Sequence, residues 1–299
     1  MQDVLAEPLL LRVIEDSVIP SQFIERLVAY CRRTLLDKVM GAPAGEPPLP
    51  LRAIAAIAHH SFNTEYVHGE SIEEREHVDA VRAAIVSARS TMEPVPLHWY
   101  AVFAAYRPLL SLDAPGEIAA DLAQTPLSSL AQRQILEPLE EKQLRTAIPA
   151  LTGTAGAVSS LVQEQYEDNP YPRWFHVDRY FTSDSVAGVL RRLFPWEDLS
   201  GVKEMPARIL VAGCGTGRHS IETAQRFKDS TVLAVDLSLT SLAYAKRKTR
   251  EISAGNISYA QGDILALGSI DERFDVVECS GVLHHLQNPL EGWRIYARS

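Results

Sequence analysis

Three glycines, Gly213, Gly215 and Gly217, alternate in VAGCGTGRHS (residues 211–220), directly behind an apolar run. Alternate residues without a Cβ let something pass very close to the backbone. A helix starting just after such a turn offers unpaired N–H groups and a partial positive charge. The spacing is G-x-G-x-G; the dinucleotide pattern G-x-G-x-x-G would need a glycine where Arg218 stands. Asp236 closes the run TVLAVD, 23 residues beyond Gly213. A carboxylate there accepts both hydroxyls of a ribose, through charge-assisted bonds worth about 1.5–3 kcal/mol each. Dehydrogenases place an acid at the same point, so Asp236 alone does not choose the ligand. A second acid, Asp263, lies in AQGDIL, and His284 and His285 lie in CSGVLHHL. Either imidazole is a candidate general base, with His284 the first choice.

Other reactive residue types point to less. Cys214, inside the glycine turn, reads as a small buried filler that lines the turn and not as a nucleophile. His59, His60, His68 and His77 lack the i,i+4 pairing of a metal site, so no metal is expected. The stretch QYEDNPYPRWF (165–175) has two prolines that forbid helix. Tyr166, Tyr171 and Trp174 give it flat apolar faces, and Asn169 gives it a planar amide. It reads as a semi-rigid strap at the mouth of the ligand site.

The bulk chemistry narrows the partners. The 299 residues suffice for two domains at about 150 residues each. With 46% hydrophobic and 22% charged residues, a packed core is expected rather than disorder. The formal charge is −9 and basic pairs such as Arg32-Arg33 and Arg191-Arg192 are isolated, which excludes a nucleic-acid backbone as main partner. The acidic start MQDVLAEP does not resemble a secretory signal. No apolar stretch approaches the roughly 20 residues of a membrane span. Cys31, Cys214 and Cys279 are distant from one another and odd in number, as in reduced proteins of the cytoplasm, the expected location.

The elements that must position these residues fall into two grammars. Residues 1–155 read as an all-helical domain. Ser21 caps a helix carrying Ile24, Val28, Cys31 and Leu35, which Gly41 ends. LRAIAAIAHHSF is a second helix, and Ser71 with Glu74 forms a capping box ahead of a third. Trp99, Val102, Phe103 and Tyr106 make another stripe, and residues 127–148 are helical with an interruption at Pro138. PLLLRVI at Pro8 echoes PLPLRAI at Pro48, two copies at the spacing of a helix-pair repeat. Residues 156–206 form a linker and lid helix with the NPYP strap. From 207 to 299, RILVA, TVLAVD, ISYAQG and FDVVEC alternate with helices, the pattern of a parallel sheet with right-handed crossovers.

Taken in order, the glycine turn, Asp236, Asp263 and FDVVECSGVLHHL resemble class I S-adenosylmethionine-dependent methyltransferases. The resemblance covers Arg208 to about Trp293. It implies a Rossmann-like α/β sheet, here its first four strands, preceded by an all-α N-terminal domain. It also implies S-adenosylmethionine as cofactor, with Gly213, Cys214, Gly215 and Gly217 against its methionine part. Asp236 and Leu237 would take the ribose side, Asp263 the adenine amino group and Ile264 the ring face, with Ser280 following the fourth strand. Many relatives have an acid before the first glycine, where this chain has Ala212. The helical region followed by QYEDNPYPRW resembles bacterial proteins in which tetratricopeptide or other helices precede a methyltransferase domain. It implies a possible protein partner for those helices and leaves the methyl acceptor unidentified, small molecule or protein.

Asn-Pro-Tyr-Pro is also similar to the Asn/Asp-Pro-Pro-Tyr signature of amino-methyltransferases. That signature follows the fourth strand, where this chain has Ser280-Gly281, so a base-modifying activity is not favoured. Relatives continue past this point with a Pro-Gly-Gly turn and three more strands; the chain is expected to be a C-terminally truncated fragment with FDVVECS as an exposed edge. Two readings compete with methyl transfer. One is a noncatalytic helical interaction protein with a vestigial nucleotide fold, the other a nicotinamide-dependent oxidoreductase.

Overall fold

The computed structural model describes residues 4–17, 21–41, 45–153, 172–177, 184–202, 206–286 and 288–296. The chain divides into two compact units, Met1–Leu139 and Glu140–Ser299.

The first unit is built of helices α1 (Pro8–Asp16), α2 (Gln22–Gly41), α3 (Leu51–Asn63), α4 (Ile72–Ser90), α5 (Leu97–Ala104), α6 (Pro115–Leu122), α7 (Ser128–Ala131) and the start of α8 (Glu137–Arg145). At its centre α3 is buried from Ala53 through Asn63 without a polar face, because alanines at 53, 55, 56 and 58 let neighbours approach from every side. Ile14, Leu35, Leu36, Ile54, Ile57, Ile85, Phe103 and Leu109 complete the core. The capping box at the head of α4 is present: Ser71 Oγ accepts from Glu74 N at 3.1 Å and Glu74 Oε2 accepts from Ser71 N at 2.8 Å. The two copies of the leucine echo are out of step, since α1 starts on Pro8 while α3 starts three residues past Pro48. Pro138 does not break its helix. Residues Gln132–Leu136 widen into a π turn, which makes room for a ring that has no N–H and would clash one turn back.

The second unit holds four parallel strands, β1 (Arg208–Ala212), β2 (Thr231–Asp236), β3 (Ile257–Gln261) and β4 (Val276–Glu278), in the order β3-β2-β1-β4. Val211 lies level with both Ala234 and Glu278, and Asp236 with Gln261. Successive residues face opposite sides. Ile209, Val211, Val232 and Ala234 pack on one side with Leu242, Ala243 and Ala245. Leu210, Ala212 and Val235 pack on the other with Ile264 and Leu267. Both faces are covered, as parallel sheets require. The connecting helices are α10 (Arg218–Arg226) and α11 (Leu239–Glu251), with α9 (Val186–Leu193) before the sheet and α12 (Pro289–Tyr296) after β4.

The division between units falls at 139/140, earlier than the expected boundary at 155. Side chains set it. Glu141 accepts from Arg247 Nε at 2.8 Å, Lys246 Nζ donates to Ala147 O, and Leu144 and Ile148 enter the core of the sheet unit. Pro149–Leu151 then runs along β3: Gln261 N donates to Pro149 O at 2.8 Å and Leu151 N to Gln261 O at 2.7 Å. Among the described residues no helix is long and apolar enough to cross a membrane.

Candidate functional site

Strand order reverses at β1, whose neighbours β2 and β4 come from opposite directions of winding. Ligands of such sheets sit beyond the carboxyl ends of the strands at this point, and the glycine turn occupies it. Gly213 N and Cys214 N both donate to Val235 O, at 2.8 and 3.0 Å, which ties the turn to the end of β2. All three glycines have positive φ: 72°, 52° and 86°. Their surroundings separate their roles. A Cβ on Gly213 would meet Val282 Cγ2 at 2.4 Å, and one on Gly217 would meet Ala245 Cβ at 2.4 Å, so these two permit close packing. Among the described residues, a Cβ on Gly215 would meet nothing within 4 Å. The turn therefore has one open position, flanked by two packed ones.

Asp236 stands at that open position. Its Oδ2 accepts from Gly215 N at 2.7 Å and its Oδ1 from Ser238 N at 3.0 Å, and the side chain stays partly exposed. Leu237 follows, half-buried, its carbonyl accepting from Gln261 Nε2 at 3.0 Å. Asp263, at the end of β3, is only 1% exposed. Its Oδ1 accepts from Leu265 N at 2.9 Å, capping the 3-10 helix Ile264–Ser269, and its own N donates to Thr152 Oγ1 at 2.7 Å. Ile264 lies in the core with Leu210 and Val235 rather than presenting an open face. Ser280 and His284 are exposed on the segment after β4, and His284 belongs to a 3-10 turn, Leu283–His285. Burial and the nearby Asp236 push the Cys214 thiol well above its ordinary range, consistent with an inert filler.

Trp174 differs from its expected role. It is buried at 6% exposure and does not offer a free face at a mouth. Its Nε1 donates to Thr216 O at 2.9 Å, inside the glycine turn, while Thr216 Oγ1 donates to Pro172 O at 2.8 Å. Trp174 N donates to the Tyr244 hydroxyl at 3.1 Å, which also reaches Trp174 O, and the two rings meet edge-on at 6.0 Å. An indole with its N–H satisfied by a backbone carbonyl packs stably inside. Tyr166, Asn169 and Tyr171 lie outside the described residues.

The structure adds a pair that motif reading passed over. His219, two residues into α10, has Nε2 3.0 Å from Glu278 Oε2 at the end of β4, and Thr223 Oγ1 donates to the same oxygen. The bond to Glu278 raises the His219 pKa against the effect of burial. Burial works to raise Glu278, but His219 and Thr223 outweigh it and hold the carboxyl below its usual range. The signal was available: Glu278 is an acid inside an apolar strand, and such a residue needs a partner. Among the described residues no group of three or more His, Cys, Asp or Glu could hold a metal.

Comparison with known proteins agrees with this geometry. Residues 209–294 match a family described as methyltransferase domain. An uncharacterized protein of Synechococcus sp. is 35% identical over 134 residues, covering 43% of this chain and 29% of that protein. Trans-aconitate 2-methyltransferase of Deinococcus radiodurans is 40% identical over 83 residues, 27% of this chain and 31% of that protein. The magnesium protoporphyrin IX methyltransferase of Synechocystis, solved with S-adenosylmethionine bound, has 21% identity and a TM-score of 0.34, with 49% of this chain and 73% of that one covered. The chain thus spans less than a third of the length of those first two relatives. The sheet order and its glycine turn define a Rossmann-like fold. With the family match, residues 209–294 are similar to a methyltransferase domain.

Proposed function

We propose that this chain binds S-adenosylmethionine at the glycine turn and serves methyl transfer to an acceptor, a small molecule or a protein. The observation that carries the reading is Gly215, with positive φ, open space on its Cβ side and the Asp236 carboxylate on its amide. The cofactor supplies an electrophilic methyl group on a sulfonium. Gly213, Gly215 and Gly217, with the N-terminus of α10 behind them, would hold its amino-acid part. Asp236 and Leu237 would hold the ribose, and the segment just past β3, where Asp263 stands, the adenine side, while Ile264 packs beneath it in the core. Cys214 lines the turn from within, and Ser280 closes the β4 side. Where the acceptor needs deprotonation, His284 is exposed on that same side to take the proton. Most of the work asked of the protein is positioning and exclusion of water, which supplies up to about 7–11 kcal/mol in favourable cases.

Isothermal titration of the whole chain with S-adenosylhomocysteine tests this. The Asp236→Asn variant keeps one acceptor oxygen, for Gly215 N or Ser238 N, and loses the charge. Its affinity is expected to fall at least tenfold with an unchanged far-ultraviolet circular dichroism spectrum. Unchanged affinity in that variant, or no binding by the unmodified chain, overturns the proposal; binding of NADH instead would select an oxidoreductase.

A further inference from the structure

Outside β3, at the edge of the sheet opposite β4, one more piece of extended chain lies level with the strands. Ala150 bridges Gln261 in the parallel sense, and Gln261 is level with Asp236. Two residues further along, Thr152 comes beside Asp263, past the carboxyl ends of the strands, where ligands of such sheets sit. Leu151 packs with Leu210, Val235 and Ile264, which anchors the segment. A Cβ on Gly262 would lie 3.0 Å from Thr152 Oγ1, so the bare backbone there lets residue 152 close over the end of β3.

The two side chains at this level differ in what they can offer a nucleobase. Asp263 is 1% exposed with Oδ1 on Leu265 N, so its carboxylate presents almost no surface to a ligand. Thr152 is half-buried. Its Oγ1 accepts from Asp263 N at 2.7 Å, which fixes the oxygen. A hydroxyl carries one donor and two lone pairs. One lone pair is taken by the amide, and among the described residues the hydroxyl proton has no acceptor. A half-buried donor in that state gains most from a ligand that accepts. A purine joined to ribose through N9 keeps three ring nitrogens, N1, N3 and N7, that can each accept such a bond.

We propose that Thr152 reads the base of the cofactor by donating its hydroxyl proton to a ring nitrogen of the adenine, an assignment that rests on S-adenosylmethionine binding as proposed above. The Asp263 amide holds the hydroxyl oxygen, and Leu265 N holds the Asp263 carboxylate. Asp263 is then a positioning residue, and the group that meets the base comes from 111 residues earlier.

The test is isothermal titration of the full chain with S-adenosylhomocysteine and its 1-deaza, 3-deaza and 7-deaza analogues, in each of which a C–H replaces one ring nitrogen. The unmodified chain is expected to bind one analogue about three- to tenfold more weakly than S-adenosylhomocysteine. In Thr152→Val, S-adenosylhomocysteine is expected to fall to that same level, and the discriminated analogue to fall no further. Thr152→Ser is expected to restore the difference. A merely structural role would weaken all four ligands alike in Thr152→Val, and that result overturns the proposal. So does equal binding of all four by the unmodified chain, or discrimination that survives in Thr152→Val. Should Thr152→Val lose its far-ultraviolet circular dichroism, Thr152→Cys, similar in size with only a weak donor, decides by the same pattern. Failure of the unmodified chain to bind S-adenosylhomocysteine at all overturns the cofactor reading and this inference with it.

Discussion

The indole Nε1 of Trp174 donates to the carbonyl of Thr216 at 2.9 Å, so a residue beside the Pro172 end of the NPYP stretch holds the glycine turn directly. Thr216 returns a bond through its hydroxyl to Pro172 O, and Tyr244 fixes Trp174 from behind. The turn is thus braced at Thr216, next to the Gly215 amide that Asp236 holds. Removing one such bond costs about 1 kcal/mol, and more where a buried group is left unpaired. Thr216→Val, nearly the same shape without the donor, is expected to weaken S-adenosylhomocysteine binding about three- to tenfold. Thr216→Ser is expected to restore it. Trp174 fluorescence in a Trp99→Phe, Trp196→Phe, Trp293→Phe background is expected to change on binding; equal affinities in all three Thr216 forms would show the brace to be ornamental.

This brace also marks where sequence reading stopped. The four strands and the turn were legible because apolar runs, closing acids and alternate glycines are local signals. The Ser71–Glu74 capping box was legible for the same reason. The Trp174–Thr216 bond joins a side chain to a backbone carbonyl 42 residues away, and a carbonyl has no signature in sequence. His219 meets Glu278 only because β1 and β4 pair with Val211 level with Glu278. Asp263 was correctly placed at a strand end, but its burial depends partly on Thr152, 111 residues earlier. The π turn before Pro138 replaced an expected break because helical continuity costs less than exposing the apolar residues on both sides.

Acid should loosen the helical unit. Burial lowers His59 to about 3, reinforced by Arg133, and lowers His60 to about 4, reinforced by His68. Above 6.5 both rings are neutral in folded and unfolded chains, so neither contributes to pH dependence. Below 6.5 the unfolded chain takes up protons that the folded one refuses, and stability is lost as pH falls toward the folded values. At pH 5.5 the two together cost about 3 kcal/mol relative to pH 7.5. Urea midpoints in chloride buffer at the two pH values measure this, and His59→Leu is expected to remove about half of the difference. A midpoint independent of pH would mean that these rings are not buried neutral.

The His219–Glu278 pair behaves in the opposite sense. His219 has a raised folded value, so its contribution is complete below 6.5 and is lost as pH rises through that folded value. Glu278 has a lowered one, so its contribution is complete above the ordinary 4.5 and is lost as pH falls through the folded value. Both are fully present only between about 4.5 and 6.5. Titration of the His219 ring by nuclear magnetic resonance is expected to give a pKa above 6.5, returning toward 6.5 in Glu278→Gln. No change in that variant would mean that the 3.0 Å contact does not persist in solution.

The sharpest separation of folding from binding lies within the turn itself. Gly217→Ala places a methyl 2.4 Å from Ala245 Cβ at a φ of 86°. Left-handed backbone costs a non-glycine residue about 1–2 kcal/mol and overpacking about 1–3 more. The variant is therefore expected to lose about 2–5 kcal/mol of stability, visible as a lowered urea midpoint. Gly215→Ala has the same handedness at 52° but, among the described residues, no atom within 4 Å to strike. Its stability cost is expected to stay near 1–2 kcal/mol, while its new methyl projects into the space where a ligand would lie against the backbone. Affinity for S-adenosylhomocysteine is then expected to fall at least tenfold in a protein that still folds. If Gly215→Ala binds as well as the unmodified chain, that open side is not where the ligand lies.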